Sequence, residues 1–520
     1  MSTPQTVITV CSGVRLNSRY EHSIAFDSLA EQKAFFMGRA VKTFTAYSYV
    51  RKSWTLKVAA TMEEAKTWNY LFFENGTGTK TYYYFINNVE YLSDNHVELT
   101  LEIDVLQTYQ FDYTLLPCFV ERQHTETDVF GEHTIDEGVD IGEITTNSKF
   151  DVPYMQDLAI LMLSTINPEG GTEMAGGEVH GVYTGLGLYA VHPDNISEFA
   201  AIMEGNSDVD GVVSMWMYPV SLIETLDDWD EDRTVHIVSG VVKKEQTVKV
   251  NDKLDGYTPK NKKMLCYPYN MLYMTNNCGN TAVYKYERFI LDNNKCRFSI
   301  CGSPFPDGGI RIDPLYYNGT PYNFDEGVTL GGYPTCAWDA DLYKIWLAQN
   351  QNMNQLAMGT GNVKVAAGAV TAIAGLFTGG LTTGAGLGMM TSGLTQTAEL
   401  LATRADKALQ PPQGRGQASA NINVVNNTQT FSFYFKSVNA ETARVIDDYF
   451  TKYGYKVNRI QYPNPKARPH FTFIKTIGCH IDSYLCEEDA VKIESIFDNG
   501  VTFWREGNSI GNYFLNNTPV

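Results

Sequence analysis

The stretch Val97 to Val105, with the sequence VELTLEIDV, decides how this chain folds. Apolar side chains alternate with polar ones along it: Val97, Leu99, Leu101, Ile103 and Val105 against Glu98, Thr100, Glu102 and Asp104. Alternation with a period of two predicts a β-strand that presses one face on a core. The other face, mostly carboxylates, is expected toward solvent or a lumen.

Short helices and a hairpin are predicted around this strand. Ser28–Glu31 and Thr61–Glu64 each match a capping box and predict helices that end near Phe36 and Phe73. The aromatic run Tyr82–Ile86 follows a turn-rich connection and indicates a β-hairpin. The first 125 residues therefore read as an α+β domain.

The rest of the chain is also predicted to be β-rich, so the expected fold class is α+β with several sheet or barrel-like domains and short helices. We expect strands at Leu158–Leu163, Val182–Val191, Phe431–Phe435, Phe471–Ile474 and Val501–Trp504, and helices after Pro193, at Asp339–Asn354 and at Ala440–Phe450. The predicted divisions are 1–125, an acidic and variable β-rich region 126–250, a second β-rich region 251–354, a long hydrophobic loop 355–415 and an α+β region 416–520.

Composition excludes some classes of function. The 520 residues carry a formal charge of −19, which argues against binding nucleic acid through its phosphates. The nine cysteines contain no C-x-x-C pair, so we expect neither a zinc site nor a disulfide framework. Most are expected to be buried thiols of a protein made in a reducing cytoplasm, and no secretory signal is visible.

No catalytic motif stands out, and we expect no catalytic, metal or cofactor residue. The chain lacks G-x-S-x-G, H-E-x-x-H and a P-loop. His22 is interpreted as a hydrogen-bonded structural histidine. The acidic run Glu224–Asp232 lacks the calcium-loop pattern and is interpreted as a solvated loop. A glycosidase pair of carboxylates is left open by the sequence.

A segment of 34 residues, Val365–Ala398, carries no charge and contains eight glycines. It exceeds the roughly 20 apolar residues that cross a bilayer, yet each helical glycine costs about 1 kcal/mol, so conditional insertion is expected rather than a permanent anchor. Glycines spaced by four would let helices approach closely in lipid. The alternatives are a flexible loop, a helical hairpin buried between subunits, or aggregation-prone filler. The candidate membrane-active residues are Val365, Ala369, Ile373, Gly375, Leu376, Phe377, Gly379, Gly380, Leu381, Gly384, Leu387, Gly388, Met389, Met390 and Leu394.

Several blocks in one order resemble the tail-knob, or distal tail tube, proteins of small short-tailed phages that infect Gram-positive bacteria. The blocks are Tyr20–Phe26, Leu254–Asn270, Trp346–Gln351, Asp448–Asn458, Phe473–Thr476 and Ile496–Trp504. The resemblance is weakest over residues 126–250.

The resemblance implies a homohexameric, β-lined tube at the distal end of the virion tail, attached to upper tail or collar proteins. Residues 355–415 would plug the channel and later breach the host membrane lipids. Viral DNA would pass without sequence-specific binding through a lumen whose carboxylates repel phosphate, with Glu98, Glu102 and Asp104 as candidates. No cofactor is implied. The competing hypotheses are a pore-forming toxin, a tail-associated cell-wall hydrolase, and a receptor-binding module near residues 150–250.

Overall fold

The computed structural model of this chain describes most residues outside the apolar segment. The described residues are 6–47, 54–74, 80–155, 158–164, 178–179, 182–183, 187–195, 197–199, 201, 212–225, 234–241, 243–303, 309–331, 335–338, 416–419 and 430–519. They divide into two units. Unit 1 combines Met1–Ile144, Asp252–Tyr269 and Val438–Val520, and unit 2 combines Thr145–Asn251 and Asn270–Ser437.

Strands dominate both units. In the first half of the chain they are β1 (Thr6–Ser12), β2 (His22–Ile24), β3 (Ala40–Tyr47), β4 (Thr55–Val58), β5 (Trp68–Glu74), β6 (Thr81–Ser93), β7 (His96–Ile103), β8 (Tyr113–Leu115), β9 (Cys118–Gln123), β10 (Ile144–Asp151), β11 (Leu158–Ser164), β12 (Glu178–Val179), β13 (Val182–Tyr183), β14 (Gly187–Val191), β15 (Val212–Pro219), β16 (Ile223–Thr225), β17 (His236–Val241) and β18 (Lys244–Lys249).

The second half continues in the same way. Its strands are β19 (Asn270–Thr275), β20 (Thr281–Tyr284), β21 (Lys295–Gly302), β22 (Ile310–Tyr317), β23 (Thr320–Tyr322), β24 (Val328–Leu330), β25 (Thr335–Trp338), β26 (Gly416–Ser419), β27 (Ser432–Val438), β28 (Tyr455–Gln461), β29 (Phe471–Ile477), β30 (Ile481–Ser483) and β31 (Val501–Trp504). The α-helices of unit 1 are α1 (Leu29–Met37), α2 (Met62–Ala65), α3 (Val105–Tyr109), α4 (Ala440–Tyr453) and α5 (Glu487–Asn499).

The first sheet of unit 1 has the strand order β3-β1-β5-β6-β7-β4. In β7 the burial alternates as predicted: Val97, Leu99, Leu101 and Ile103 are buried, and the residues between them are partly exposed. The strand ends at Ile103, because the next residue caps α3. The predicted hairpin is confirmed, since β5 and β6 pair in antiparallel register from Tyr70 opposite Phe85 to Glu74 opposite Thr81.

The two capping signals give helices of different length. Ser28 accepts a hydrogen bond from the Glu31 backbone N–H, and α1 ends one residue past Phe36, as predicted. Thr61 and Glu64 form a reciprocal capping box, yet α2 ends at Ala65. The prediction of a helix as far as Phe73 is wrong. The run WNYLFFE is instead the strand β5, which lies between β1 and β6 in the sheet. A short run of bulky apolar residues is typical of such a central strand.

The second sheet of unit 1 joins the two ends of the chain. Its order is β2-β31-β29-β9-β28, and β2 runs parallel to β31 with His22 opposite Thr502. One apolar core continues from the first sheet into this one. The predicted helix at Ala440 and the strands at Phe471 and Val501 are confirmed as α4, β29 and β31.

The described residues of unit 2 form three larger sheets and one short hairpin. Their orders are β10-β27-β19-β20, β16-β17-β14-β11-β15-β25-β26, and β18-β21-β22-β23 with β24 also paired to β22, and the hairpin is β12-β13. The strand predicted at Leu158 is confirmed as β11, and the one predicted over Val182–Val191 is divided into β13 and β14. The strand predicted at Phe431 is β27.

Candidate functional site

The candidate membrane-active residues, from Val365 to Leu394, all lie outside the described residues, as do the helix predicted at Asp339–Asn354 and the region 355–415. Their role stays a prediction. No helix within the described part of the chain is both long enough and apolar enough to cross a membrane.

The outward carboxylates of β7 are paired with lysines rather than left alone. Lys57 Nζ lies 3.9 Å from Glu98, and Lys492 Nζ lies 2.7 Å from Glu102. Asn87 also donates a 2.8 Å hydrogen bond to Glu102. Their position toward a lumen stays a prediction, and lysine pairing reduces the negative potential that this face offers to passing phosphates.

The third carboxylate of the stretch, Asp104, is buried, so the idea that it faces a lumen is wrong. It is the N-cap of α3 and accepts hydrogen bonds from the Gln107 backbone N–H at 3.1 Å and the Tyr70 hydroxyl at 2.9 Å. Burial raises the pKa of Asp104 to about 7, against the opposing effect of these donors. The alternation missed this role because the strand ends one residue earlier.

A buried ionic cluster in unit 1 was not visible in the sequence. The Glu137 carboxylate forms ion pairs with Arg122 and Lys263 and accepts a 3.0 Å hydrogen bond from the Lys456 backbone N–H. Burial lowers the pKa of Lys263 against the opposing attraction of Glu137. The cluster ties the connection after β9 to the Leu254–Asn270 block, and its members are too far apart in sequence for any spacing rule to find.

The same block is held by one residue of α4. Asp447 is fully buried and accepts hydrogen bonds from the backbone N–H groups of Lys260 at 2.8 Å and Asn261 at 3.0 Å. The Asn261 side-chain amide adds a 2.8 Å bond to the same carboxylate. The Leu254–Asn270 block is thus held by two buried carboxylates, that of Glu137 through Lys263 and that of Asp447 through Lys260 and Asn261.

A cavity of about 370 Å³ lies beside this loop. Its walls include Arg468, Lys260, Asp128, Thr451 and Phe514. No sequence signal indicated it, because its walls come from five separated parts of the chain.

Three adjacent strands of the second sheet carry a row of exposed apolar side chains, which we call the apolar row. Ile460 on β28 lies opposite Phe119 on β9, and Phe119 lies opposite Ile477 on β29. Residues directly opposite one another share a face. The exposed fractions are 74% for Ile460, 37% for Phe119 and 57% for Ile477.

Among the described residues, no three His, Cys, Asp or Glu side chains lie together in a way that would hold a metal ion. Eight described cysteines form no disulfide bond, and five of these are buried. His22 is a structural histidine, because its Nδ1 accepts a 3.4 Å hydrogen bond from the Trp504 indole.

Two models of known protein families match different parts of this chain. A family model described as the caudoviral major tail protein N-terminus matches residues 4–114, which contain the first sheet of unit 1. This part of the chain is therefore similar to the N-terminal part of a caudoviral major tail protein.

A second match identifies the family. The model of the C-terminal domain of tail knob protein gp9 of Bacillus phage phi29 matches residues 238–518, more than half of the chain. The chain belongs to the family of phage tail knob proteins gp9, which are components of the virion tail and not enzymes. The tail knob protein gp9 of Bacillus phage phi29 is 25% identical, and that of Bacillus phage B103 is 24% identical, with 98% of each chain covered in both cases.

A solved structure supports the fold. The tail knob protein gp12 of bacteriophage C1 superposes with a TM-score of 0.69 over 98% of this chain and 99% of that one. The identity is 14%, so this likeness shows the fold alone. The β-rich architecture with few short helices is that of a tail knob.

Proposed function

We propose that this tail knob protein forms a homohexameric ring that conducts the genome, with residues 355–415 as a plug that is released to penetrate the host membrane. Membership of the tail knob family supports a place at the distal end of the tail. The observation that carries the plug is the uncharged segment Val365–Ala398, which an acidic, water-exposed chain would not tolerate without shielding. Self-association and contact with upper tail proteins provide that shielding.

The apolar row supports the ring. Three neighbouring apolar side chains on the open face of a sheet cost free energy in water, at roughly 25 cal/mol per Å² of exposed apolar surface. A neighbouring copy of the chain that covers Ile460, Phe119 and Ile477 removes this cost. Their sheet ends at β28, which has a strand on one side only among the described residues, and this leaves room for a neighbour.

Release of the plug follows from differential stability. Inside a closed ring the uncharged segment is covered by protein, and in lipid its glycine-spaced faces pack against one another. Lipid contact or the pressure of DNA must favour the released state for the change to proceed. The DNA contributes no sequence-specific contact.

The ring is tested by the mass of the full chain in lipid-free buffer, measured by light scattering after size exclusion. We expect six times the mass of the 58.2 kDa chain. Ile460→Lys with Ile477→Lys should release smaller species. The matched control is Ile290→Lys, which changes a residue of unit 2 that is 68% exposed and should leave the mass unchanged. A chain that assembles only after lipid is added would instead favour a pore-forming toxin.

The membrane role is tested separately with liposomes. A peptide covering Val365–Ala398 should release an entrapped dye, and the same peptide with Ile373→Asp and Leu387→Asp should not. The charged peptide is the control for nonspecific surface activity. If both peptides are inert, the segment serves as a plug only.

A further inference from the structure

We infer that the cavity of unit 1 beside Arg468 binds a small hydroxylated molecule through an oxyanion group, a phosphate or a carboxylate, held by Arg468. This site is separate from the proposed ring and plug. Its volume of about 370 Å³ falls in the range of roughly 300–1,000 Å³ that small-molecule sites occupy.

Arg468 is a buried cation without a direct counter-ion. Its residue is only 5% exposed, and among the described residues it forms no ion pair. One guanidinium nitrogen donates a 3.1 Å hydrogen bond to the Asn517 carbonyl, a second lies 3.5 Å from Thr125 Oγ1, and Nε has no partner in the described part of the chain. A buried charge is costly unless it is paired, and guanidinium suits planar oxyanions.

The other charged residues in the walls of the cavity are Lys260 and Asp128. Lys260 lines the cavity with its side chain about half exposed. Asp128 supplies the opposing charge and accepts hydrogen bonds from the Tyr455 hydroxyl at 2.7 Å and the Lys262 backbone N–H at 3.2 Å. Lys260 Nζ also lies 3.8 Å from the exposed carboxylate of Asp448, so Arg468 is the buried cation among the charged residues of the walls.

His124 adds no charge to the cavity. Its Nδ1 accepts a 2.8 Å hydrogen bond from the Phe473 backbone N–H, which leaves Nε2 to donate to the Thr451 carbonyl at 3.1 Å. Burial, helped by the nearby charge of Arg468, lowers the pKa of His124 to about 3. Binding of the anion should therefore not depend on titration of this histidine near neutral pH.

The segment Phe514–Thr518 makes the cavity a built site rather than a gap between loops. Asn517 fixes this segment, because its side chain accepts from the backbone N–H groups of His470 and Phe471 and donates to the Phe471 carbonyl at 2.8 Å. Phe514 belongs to the same wall of the cavity, and 94% of its surface is exposed. An open aromatic ring offers a platform for the apolar C–H face of a polyol or sugar.

The test is isothermal titration calorimetry on the full chain. Glycerol 1-phosphate and glucuronate serve as the phosphate and carboxylate probes, and glycerol and glucose as their neutral counterparts. We expect at least one anion to bind in the millimolar range or tighter, with neither neutral molecule binding. The stronger anion identifies the group that the cavity prefers. Equal lack of binding by all four molecules would overturn the inference.

Variants place the binding in the cavity. Lys260→Gln should weaken the binding of the preferred anion by about threefold to fivefold, as expected for the loss of one partly exposed charge. Phe514→Ser should weaken the binding of a hydroxylated anion but leave the affinity for inorganic phosphate unchanged. The matched controls are Lys249→Gln and Tyr484→Ser, which change exposed residues elsewhere. Both cavity variants alter exposed side chains, so the fold is retained, and affinities equal to those of the wild type would place the anion at another site.

Discussion

The Asp447 carboxylate of α4 accepts a 2.7 Å hydrogen bond from the hydroxyl of Tyr257, which lies 190 residues earlier in the chain. This bond joins two of the three segments that form unit 1. Two backbone N–H groups bind the same carboxylate, so one side chain fixes the conformation of the intervening loop.

Asp447→Ala should release this loop. The change removes the acceptor for several donors at once, and we expect a loss of about 3–5 kcal/mol in local stability. Hydrogen exchange of the peptide Leu254–Leu265 should become faster by orders of magnitude. Asp448→Ala is the control, because the Asp448 side chain is exposed and its ion pair with Lys260 Nζ is long, at 3.8 Å. Equal exchange in the two variants would contradict the role assigned to Asp447.

Asp104 should make the stability of unit 1 fall as the pH rises. Its folded pKa of about 7 lies above the ordinary value of 3.8, so the folded state holds a proton that the unfolded state has lost. The contribution is complete below about pH 4 and is lost as the pH approaches about 7. Asp104→Asn should remove this part of the slope in thermal unfolding measured from pH 4 to 8.

The control for the pH experiment is Asp94→Asn. Asp94 also accepts a hydrogen bond from a tyrosine hydroxyl, that of Tyr91 at 2.7 Å, but at an exposed position. Its substitution should leave the pH profile of unfolding as in the wild type. A wild-type slope that survives in Asp104→Asn would show that other groups carry it.

Glu137→Gln should destabilise unit 1 by about 3–5 kcal/mol, because it leaves two buried cations without their anion. Adding Lys263→Met should restore part of the loss, since one of those cations is then gone. Chemical unfolding of the two single variants and the double variant gives the coupling energy. Glu132→Gln, which changes an exposed carboxylate, is the control. Additive losses would mean that Glu137 and Lys263 do not act together.

Gly454→Ala should be far more costly than Gly478→Ala. Both glycines have φ near +65°, and Gly454 combines it with ψ −155°, a backbone conformation essentially restricted to glycine. A Cβ at Gly454 would also lie 2.4 Å from the backbone of Gln123, whereas one at Gly478 would meet nothing within 4 Å. Thermal unfolding of the two variants measures the difference. Equal losses would contradict the close approach of Gly454 to Gln123.

Local patterns predicted local structure well. The alternation in β7 and the helix predicted at Ala440–Phe450 depend on neighbouring residues, and both agree with the structure, where β7 ends at Ile103 and α4 continues to Tyr453. The end of α2 was mispredicted because β5 gains its stability from two neighbouring strands, which no local window contains. Cooperative pairing across the sheet overrides the helical signal of a capping box.

Local sequence patterns predict less of the candidate sites than of the fold. The cavity around Arg468 and the cluster around Glu137 combine residues from segments hundreds of positions apart, and only the tertiary fold brings them together. The apolar row depends on the pairing of β28, β9 and β29, so its members look unremarkable one at a time. The uncharged segment was visible in the sequence because its signal is compositional and contiguous.

The parallel pairing of His22 with Thr502 has a consequence for how virions are made. Ribosomes add about 5–20 residues per second, so β2 waits on the order of a minute for its partner strand to be synthesised. A polypeptide released early lacks β29 and β31 and cannot close the second sheet. We therefore expect a polypeptide that ends before β29 to be unable to enter the particle.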